Sequence, residues 1–197
     1  MKAIEENKMC DFKTLTPDLK CILYGEKEIN EMLDRLGQQI TECYKDRVKE
    51  RKLILVGVLK GSFIFMADLI RRIDLPCQVL FLKASSYGSS TVSSGNVAVE
   101  PLPEADQLDG ADVLLVEDIL DSGRTLKKLE GLFLETGAES VKICTMLDKP
   151  ARRVAPVKPD FCGFEVEDQF IVGYGLDYNE IYRNFPYIAI LKPEIYS

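Results

Sequence analysis

The sequence predicts an α/β protein built on a parallel central sheet, and three observations carry that prediction. Residues 53–59, 79–82 and 113–116 are apolar runs of strand length without polar alternation, as in strands buried on both faces, and 141–147 reads as a further strand. Helical periodicity separates them, over 63–73 and again after Gly123. The loops that follow these runs hold the chain's clusters of glycine, serine, lysine and acid. Ligands of such sheets sit beyond the carboxyl ends of the strands, so these loops can converge on one crevice.

In chain order, Met1 to Asp11 is polar and mixed in charge, which is not the pattern of a secretory signal. Residues 1–22 read as an N-terminal tail and 23–197 as a single domain. Residues 26–50 read as an amphipathic helix, with Ile29, Leu33, Leu36 and Ile40 on one stripe. The strand at 53–59 runs into Lys60-Gly61-Ser62 and a helix over 63–73. A strand at 79–82 follows. The stretch 85–95 holds six serines and two glycines and cannot build a core, so it reads as a lid or a loose loop. Val97 and Val99 suggest a short strand. Residues 113–116 form the next buried strand and end in Glu117-Asp118. Ser122-Gly123-Arg124-Thr125 opens a helix that Gly137 stops. The strand at 141–147 ends in Asp148-Lys149-Pro150, and a basic, proline-bearing stretch covers 152–159. Short strands follow around 161–164, 170–173 and 188–191. The expected core spans about 50–150.

The 197 residues suffice for one sizeable core. A formal net charge of −7 disfavours nucleic acid and anionic membranes as partners, while leaving room for a local basic pocket. No apolar run approaches the length of a membrane span. Six cysteines, at 10, 21, 43, 77, 144 and 162, form no Cys-x-x-Cys pair, which suits reduced thiols in the cytoplasm. The chain has no histidine. That removes Ser-His and Cys-His nucleophile schemes and histidine-bound zinc. Proton transfer must fall to Asp, Glu, Lys, Tyr or Cys, and a metal would be Mg²⁺ on carboxylates.

The most informative stretch is 113–126, a buried strand, two acids, a small-residue turn and a helix start. The turn and helix start can offer N–H groups to a phosphate. The acids can accept from sugar hydroxyls or hold a hard cation. There is no Gly-x-x-x-x-Gly-Lys and no Gly-x-Gly-x-x-Gly, so ATPase and dinucleotide readings lose support. Several candidates have plain alternatives. Lys60 alone could be a surface lysine after a strand, Lys149 a solvated loop end, Asp121 an acid that shapes a turn, and Phe170 a core aromatic.

The run Val113 to Leu126 resembles the 5-phosphoribosyl-1-pyrophosphate (PRPP) motif of the type I phosphoribosyltransferases, particularly their hypoxanthine-guanine branch. Val58-Leu59-Lys60-Gly61-Ser62 is similar to that branch's pyrophosphate loop, and Ser86-Tyr87 to the Ser-Tyr of its mobile loop. Residues 170–180 with Arg183 resemble its purine-side segment. The resemblance implies the type I phosphoribosyltransferase fold, a Rossmann-like central parallel sheet flanked by helices. A small hood would be built from N- and C-terminal segments, with a lid loop at about 85–96.

It further implies that Glu117 and Asp118 hold the ribose hydroxyls of PRPP, and that Asp121, Ser122, Gly123, Arg124 and Thr125 hold the 5′-phosphate. Lys60, Gly61 and Arg183 would meet the pyrophosphate, with the Leu59–Lys60 peptide cis. Lys149, Phe170, Ile171 and Asp177 would hold the purine, Ser86 and Tyr87 would belong to the lid, and Mg²⁺ would be held by Glu117, Asp118 and Asp177. Asp121 would move the proton at purine N7. The implied partners are hypoxanthine or guanine with PRPP, giving IMP or GMP and pyrophosphate, in a homodimer or homotetramer. A xanthine-accepting relative and a PRPP-sensing regulator that binds nucleic acid are the competing readings. Both the acidic balance and the complete Asp121, Lys149 and Asp177 set count against the regulator.

Overall fold

The computed structural model describes residues 16–86, 97–100 and 105–197. The strands are β1 (Leu19–Tyr24), β2 (Leu53–Leu59), β3 (Gln78–Ser86), β4 (Val97–Glu100), β5 (Asp112–Leu120), β6 (Ser140–Asp148), β7 (Phe161–Glu165), β8 (Ile171–Val172) and β9 (Ile188–Leu191). The helices are α1 (Glu26–Tyr44), α2 (Phe63–Leu69), α3 (Ala105–Leu108), α4 (Arg124–Glu135) and α5 (Pro193–Tyr196). Six strands form the main sheet in the order β4-β3-β2-β5-β6-β7. All pairs are parallel except β3 with β4.

The apolar runs lack alternation because both faces of the sheet are covered. Along β2, Leu53 and Leu55 pack with Leu36, Phe65 and Met66 of α1 and α2. The intervening Ile54, Val56 and Val58 pack with Leu126, Leu129 and Phe133 of α4. Each such side chain contributes on the order of 1.5–3 kcal/mol through burial. The chain winds from β2 to β3 in one direction and from β5 to β6 in the other. The carboxyl ends of β2 and β5 therefore flank a topological switch point, where a crevice opens by geometry.

A second sheet has the order β1-β9-β8, with antiparallel pairing throughout. Its core is Leu19, Val172, Tyr182, Phe185, Ala189 and Leu191. Residues 19–22, assigned above to the tail, are part of it: Leu19 pairs with Leu191 and Cys21 with Ile190. The partner strand lies far away in sequence, so the pairing leaves no local trace.

Other elements also differ from expectation. The helix expected over 63–73 is α2 to Leu69 followed by a 3-10 turn over Ile70–Arg72, β3 runs to Ser86 and so takes in the start of the stretch read as a loose loop, and the short helices α3 and α5 are unexpected. The helix starting at Glu26 ends at Tyr44, and residues 47–49 form a separate 3-10 turn. Strand β5 continues through Glu117 and Asp118 to Leu120. Glu117 and Ile119 remain in register with Thr145 and Leu147 of β6, while pairing with β2 stops at Val116. The two acids thus lie within a strand that has a neighbour on only one side at that height. No helix among the described residues is long and apolar enough to cross a membrane, and the five described cysteines are free.

Candidate active site

The loop after β2 lies against the acids of β5. The Leu59–Lys60 peptide is cis. A Cβ added at Gly61 would fall 1.6 Å from Asp118 Oδ2 and 2.4 Å from its Cγ, so only glycine lets the backbone come this near. On the other side of this loop, a Cβ on Gly175 would lie 2.1 Å from the Gly61 carbonyl oxygen. Gly175 has φ +103°, in the left-handed region that glycine tolerates. The loop at 60–62, the paired acids and the 173–183 segment therefore meet at one place.

Charges are arranged around that junction. Lys60 Nζ is 3.0 Å from Glu180 Oε1, and Arg183 NH2 is 3.3 Å from Glu180 Oε2 and 2.9 Å from Asp177 Oδ1. Arg183 also donates to the Gly175 carbonyl at 2.8 Å. Glu180 therefore bridges the two cations expected at the pyrophosphate. Its hydrogen bonds to Lys60 and then Arg183 hold it below the usual carboxylate range. Within the acid pair, burial and then the charge of Asp118 push Glu117 well above its usual range. Burial also raises Asp118, against the Ile119 amide and the Arg183 charge. Glu117 Oε2 is buried and makes no hydrogen bond of ordinary geometry, beside the Asp118 carboxyl.

The three carboxylates expected to hold Mg²⁺ do not form a protein-only cluster among the described residues. Asp177 is already taken by Arg183 and by the Glu180 amide, which donates to Oδ2 at 2.9 Å. Glu117 and Asp118 do fit the ion, as hard oxygen donors, one of them with an unused buried oxygen. Mg²⁺ commonly takes one or two carboxylates and completes its shell with water and substrate phosphates.

Beyond β5, the turn 121–123 leads into α4. Gly123 has φ +79° and is the residue before the helix, and its carbonyl accepts from the Lys127 amide at 2.9 Å. The first N–H groups of a helix have no partner within it, so this end can face an anion. Ser122 Oγ lies 3.5 Å from the Arg124 amide. Asp121 is partly exposed, yet its Oδ1 is buried without a hydrogen-bond partner, 3.6 Å from Arg152 Nε.

The residues expected at the purine approach from β6 and the second sheet. Lys149 is buried, its amide donates to the Leu120 carbonyl at 3.0 Å, and its Nζ donates to the Gln169 carbonyl at 2.9 Å. That last contact brings Lys149 beside Phe170 and Ile171. Phe170 is half-buried and already has aromatic neighbours: Tyr196 stacked at 4.7 Å and Tyr178 edge-on at 5.4 Å. Ile171 lies opposite Ile190, and the Leu191 amide bonds to the Phe170 carbonyl. The 170–191 pair is thus hydrogen-bonded and the 171–190 pair is not, so the Ile171 N–H and C=O point to the open edge of β8. Ser86 ends β3 opposite Val97 of β4. Tyr87, and with it most of the expected lid, lies outside the described residues.

Sequence reasoning missed Arg153, Asp148, Glu180 and Gln169. The basic character of 152–159 was a signal for the first, but nothing in it told that the Arg153 side chain turns inward onto backbone carbonyls.

Comparison with known proteins gives a consistent result. The family model for the phosphoribosyl transferase domain matches residues 26–179. The hypoxanthine-guanine phosphoribosyltransferase of Bacillus subtilis is 49% identical over 181 residues, covering 91% of this chain and 97% of that protein. The enzyme of that name from Staphylococcus epidermidis is 46% identical over 180 residues, covering 91% and 98%. A crystal structure of a hypoxanthine phosphoribosyltransferase from Staphylococcus aureus superposes with a TM-score of 0.86 at 42% identity, covering 93% of this chain and 97% of that one.

Proposed function

The chain belongs to the phosphoribosyltransferase family, and from that premise we propose that it converts hypoxanthine or guanine and PRPP to IMP or GMP and pyrophosphate, in purine salvage. One observation carries the reading. Gly61 touches the carboxylate of Asp118 with no room for a methyl group, so a lysine-glycine loop and a pair of sugar-type acids share one crevice. That is the layout required by a substrate with a ribose between a phosphate and a pyrophosphate.

Each residue then has a task. The 121–125 turn binds the 5′-phosphate through N–H and hydroxyl donors. Glu117 and Asp118 accept from the ribose 2′- and 3′-hydroxyls, and Glu117 Oε2 is the unused buried acceptor there. Lys60 and Arg183 take the pyrophosphate, displacing Glu180. Lys149 donates to O6 of the purine, Phe170 packs on the ring, and the Ile171 backbone at the open edge of β8 meets the base edge. The N9 lone pair attacks C1 of the ribose as the C1–O bond to pyrophosphate breaks, through an oxocarbenium-like state. Asp121 accepts the proton from N7. Its Oδ1, which has no hydrogen-bond partner and only Arg152 Nε at 3.6 Å, supports that role. Mg²⁺, held by Glu117 and Asp118, supplies charge neutralisation to the pyrophosphate when bound. The free thiols support a reducing, cytoplasmic setting.

The test is a spectrophotometric assay of hypoxanthine, guanine and xanthine with PRPP and Mg²⁺, with adenine as the negative control. Turnover of the first two with pyrophosphate release is the expected result. Turnover of xanthine as fast as the others would broaden the substrate to all three 6-oxopurines. Salt-sensitive nucleic-acid binding with no turnover would replace the enzyme by a regulator.

A further inference from the structure

Arg153 is deeply seated, with its side chain 15% exposed, and it touches the phosphate turn from behind. Its Nε donates to the Asp121 carbonyl at 3.0 Å and its NH2 to the Leu120 carbonyl at 3.2 Å. Its remaining donors go to the Val157 carbonyl and to the Asp148 carboxylate, itself 14% exposed. The adjacent backbone adds to this, because the Val154 and Ala155 amides both donate to the Ser122 carbonyl at 2.9 Å. Even the aliphatic stem is in contact: a Cβ on Gly123 would lie 3.0 Å from Arg153 Cδ.

Three consecutive carbonyls, those of Leu120, Asp121 and Ser122, are therefore tied to one side. In a planar trans peptide the C=O of one residue and the N–H of the next point in opposite directions. Holding these carbonyls toward 153–155 turns the N–H groups of Asp121, Ser122 and Gly123 the other way. Successive N–H groups aimed to one side make an anion nest. No backbone carbonyl among the described residues accepts from the Ser122 or Gly123 N–H.

We propose that Arg153, fixed by Asp148, is a positioning residue that holds the 121–123 turn as a preformed nest for the 5′-phosphate, an inference that rests on the PRPP reading of this site. Arginine suits the task because its planar fork can reach several acceptors at once, and lysine cannot reproduce that. Arg153 shares the Leu120 carbonyl with the Lys149 amide but makes no hydrogen bond to the side chains of Lys149, Phe170 or Ile171, and the Lys149 ammonium is held by the Gln169 carbonyl. The effect of changing it should therefore be one-sided.

The experiment is calorimetric titration of PRPP with Mg²⁺ into wild type, Arg153→Lys and Asp148→Asn. KM for hypoxanthine and the melting temperature are measured alongside. A displacement of about 1 Å in a binding group can cost on the order of 10²-fold. Arg153→Lys should weaken PRPP at least about tenfold, change KM for hypoxanthine less than about twofold, and leave the protein folded. Asp148→Asn should act in the same direction, less strongly. Normal PRPP affinity in Arg153→Lys overturns the proposal. So does equal weakening for PRPP and hypoxanthine, or a melting temperature lowered by more than about ten degrees, which would make Arg153 a prop of the whole fold. A wild-type protein that binds no PRPP removes the functional reading itself, and the proposal with it.

Discussion

Replacing Gly61 by alanine separates binding from folding at this site. The new methyl would stand 1.6 Å from Asp118 Oδ2, and real Cβ contacts stop at about 3.0 Å, so the carboxyl group must retreat by at least about 1.4 Å. The loop is itself confined, because its carbonyl oxygen is packed against Gly175. Asp118 is a short side chain with a rotatable end, and it absorbs the whole displacement. The cost in stability should stay under about 3 kcal/mol, the usual range for an added methyl group. For a chain of this size that is a fall of no more than about 10 °C in melting temperature. The functional cost should be far larger. Asp118 leaves the position where it would meet a ribose hydroxyl, and a misplacement of about 1 Å can cost on the order of 10²-fold. The assay is turnover of hypoxanthine and PRPP, with PRPP affinity by calorimetry and the melting temperature by scanning calorimetry. A folded Gly61→Ala protein with wild-type PRPP affinity would refute the placement of Asp118 at the ribose.

Three further outcomes are expected. Asp121→Asn should keep PRPP affinity and lower kcat by about 10²-fold or more, since an amide cannot take the N7 proton; near-normal turnover would remove Asp121 from that role. Lys149→Met should raise KM for hypoxanthine by roughly 10- to 100-fold, because a charged hydrogen bond is worth about 1.5–3 kcal/mol; PRPP affinity measured without purine should not change. The third concerns pH. Burial, and then its hydrogen bond to Asp68 at 2.5 Å, push the Tyr174 phenol well above its ordinary value of 10.0. The unfolded chain then releases this proton first, so the stability it contributes is intact below about pH 10 and is lost as pH rises toward the folded value. Denaturant titrations from pH 8 to 11 should show a falling stability with a shallower slope in Tyr174→Phe; identical slopes would discard Tyr174 as a source.

The parts of this protein legible in sequence are those whose cause is local. Both faces of β2 are buried, so residues 53–59 are apolar without interruption, and the strand is visible in the letters. The same holds for the glycine turn at 60–62 and the small-residue turn at 122–123. What was illegible depends on partners distant in the chain. Strand β5 reads as ending at Val116 because polar residues follow, yet it runs to Leu120 because β6 continues beside it after β2 has ended. Strand β1 exists through pairing with residues near 190. Arg153 is the sharpest case. Three of its four acceptors are backbone carbonyls, and a carbonyl has no letter in the sequence. A basic residue in a proline-bearing loop reads as solvated, while the fold uses it to orient the peptide units of another loop. Residues that touch substrate tend to sit in recognisable turns, since the turn itself makes the binding geometry. Residues that hold those turns in place act through the main chain, and only the three-dimensional arrangement exposes them.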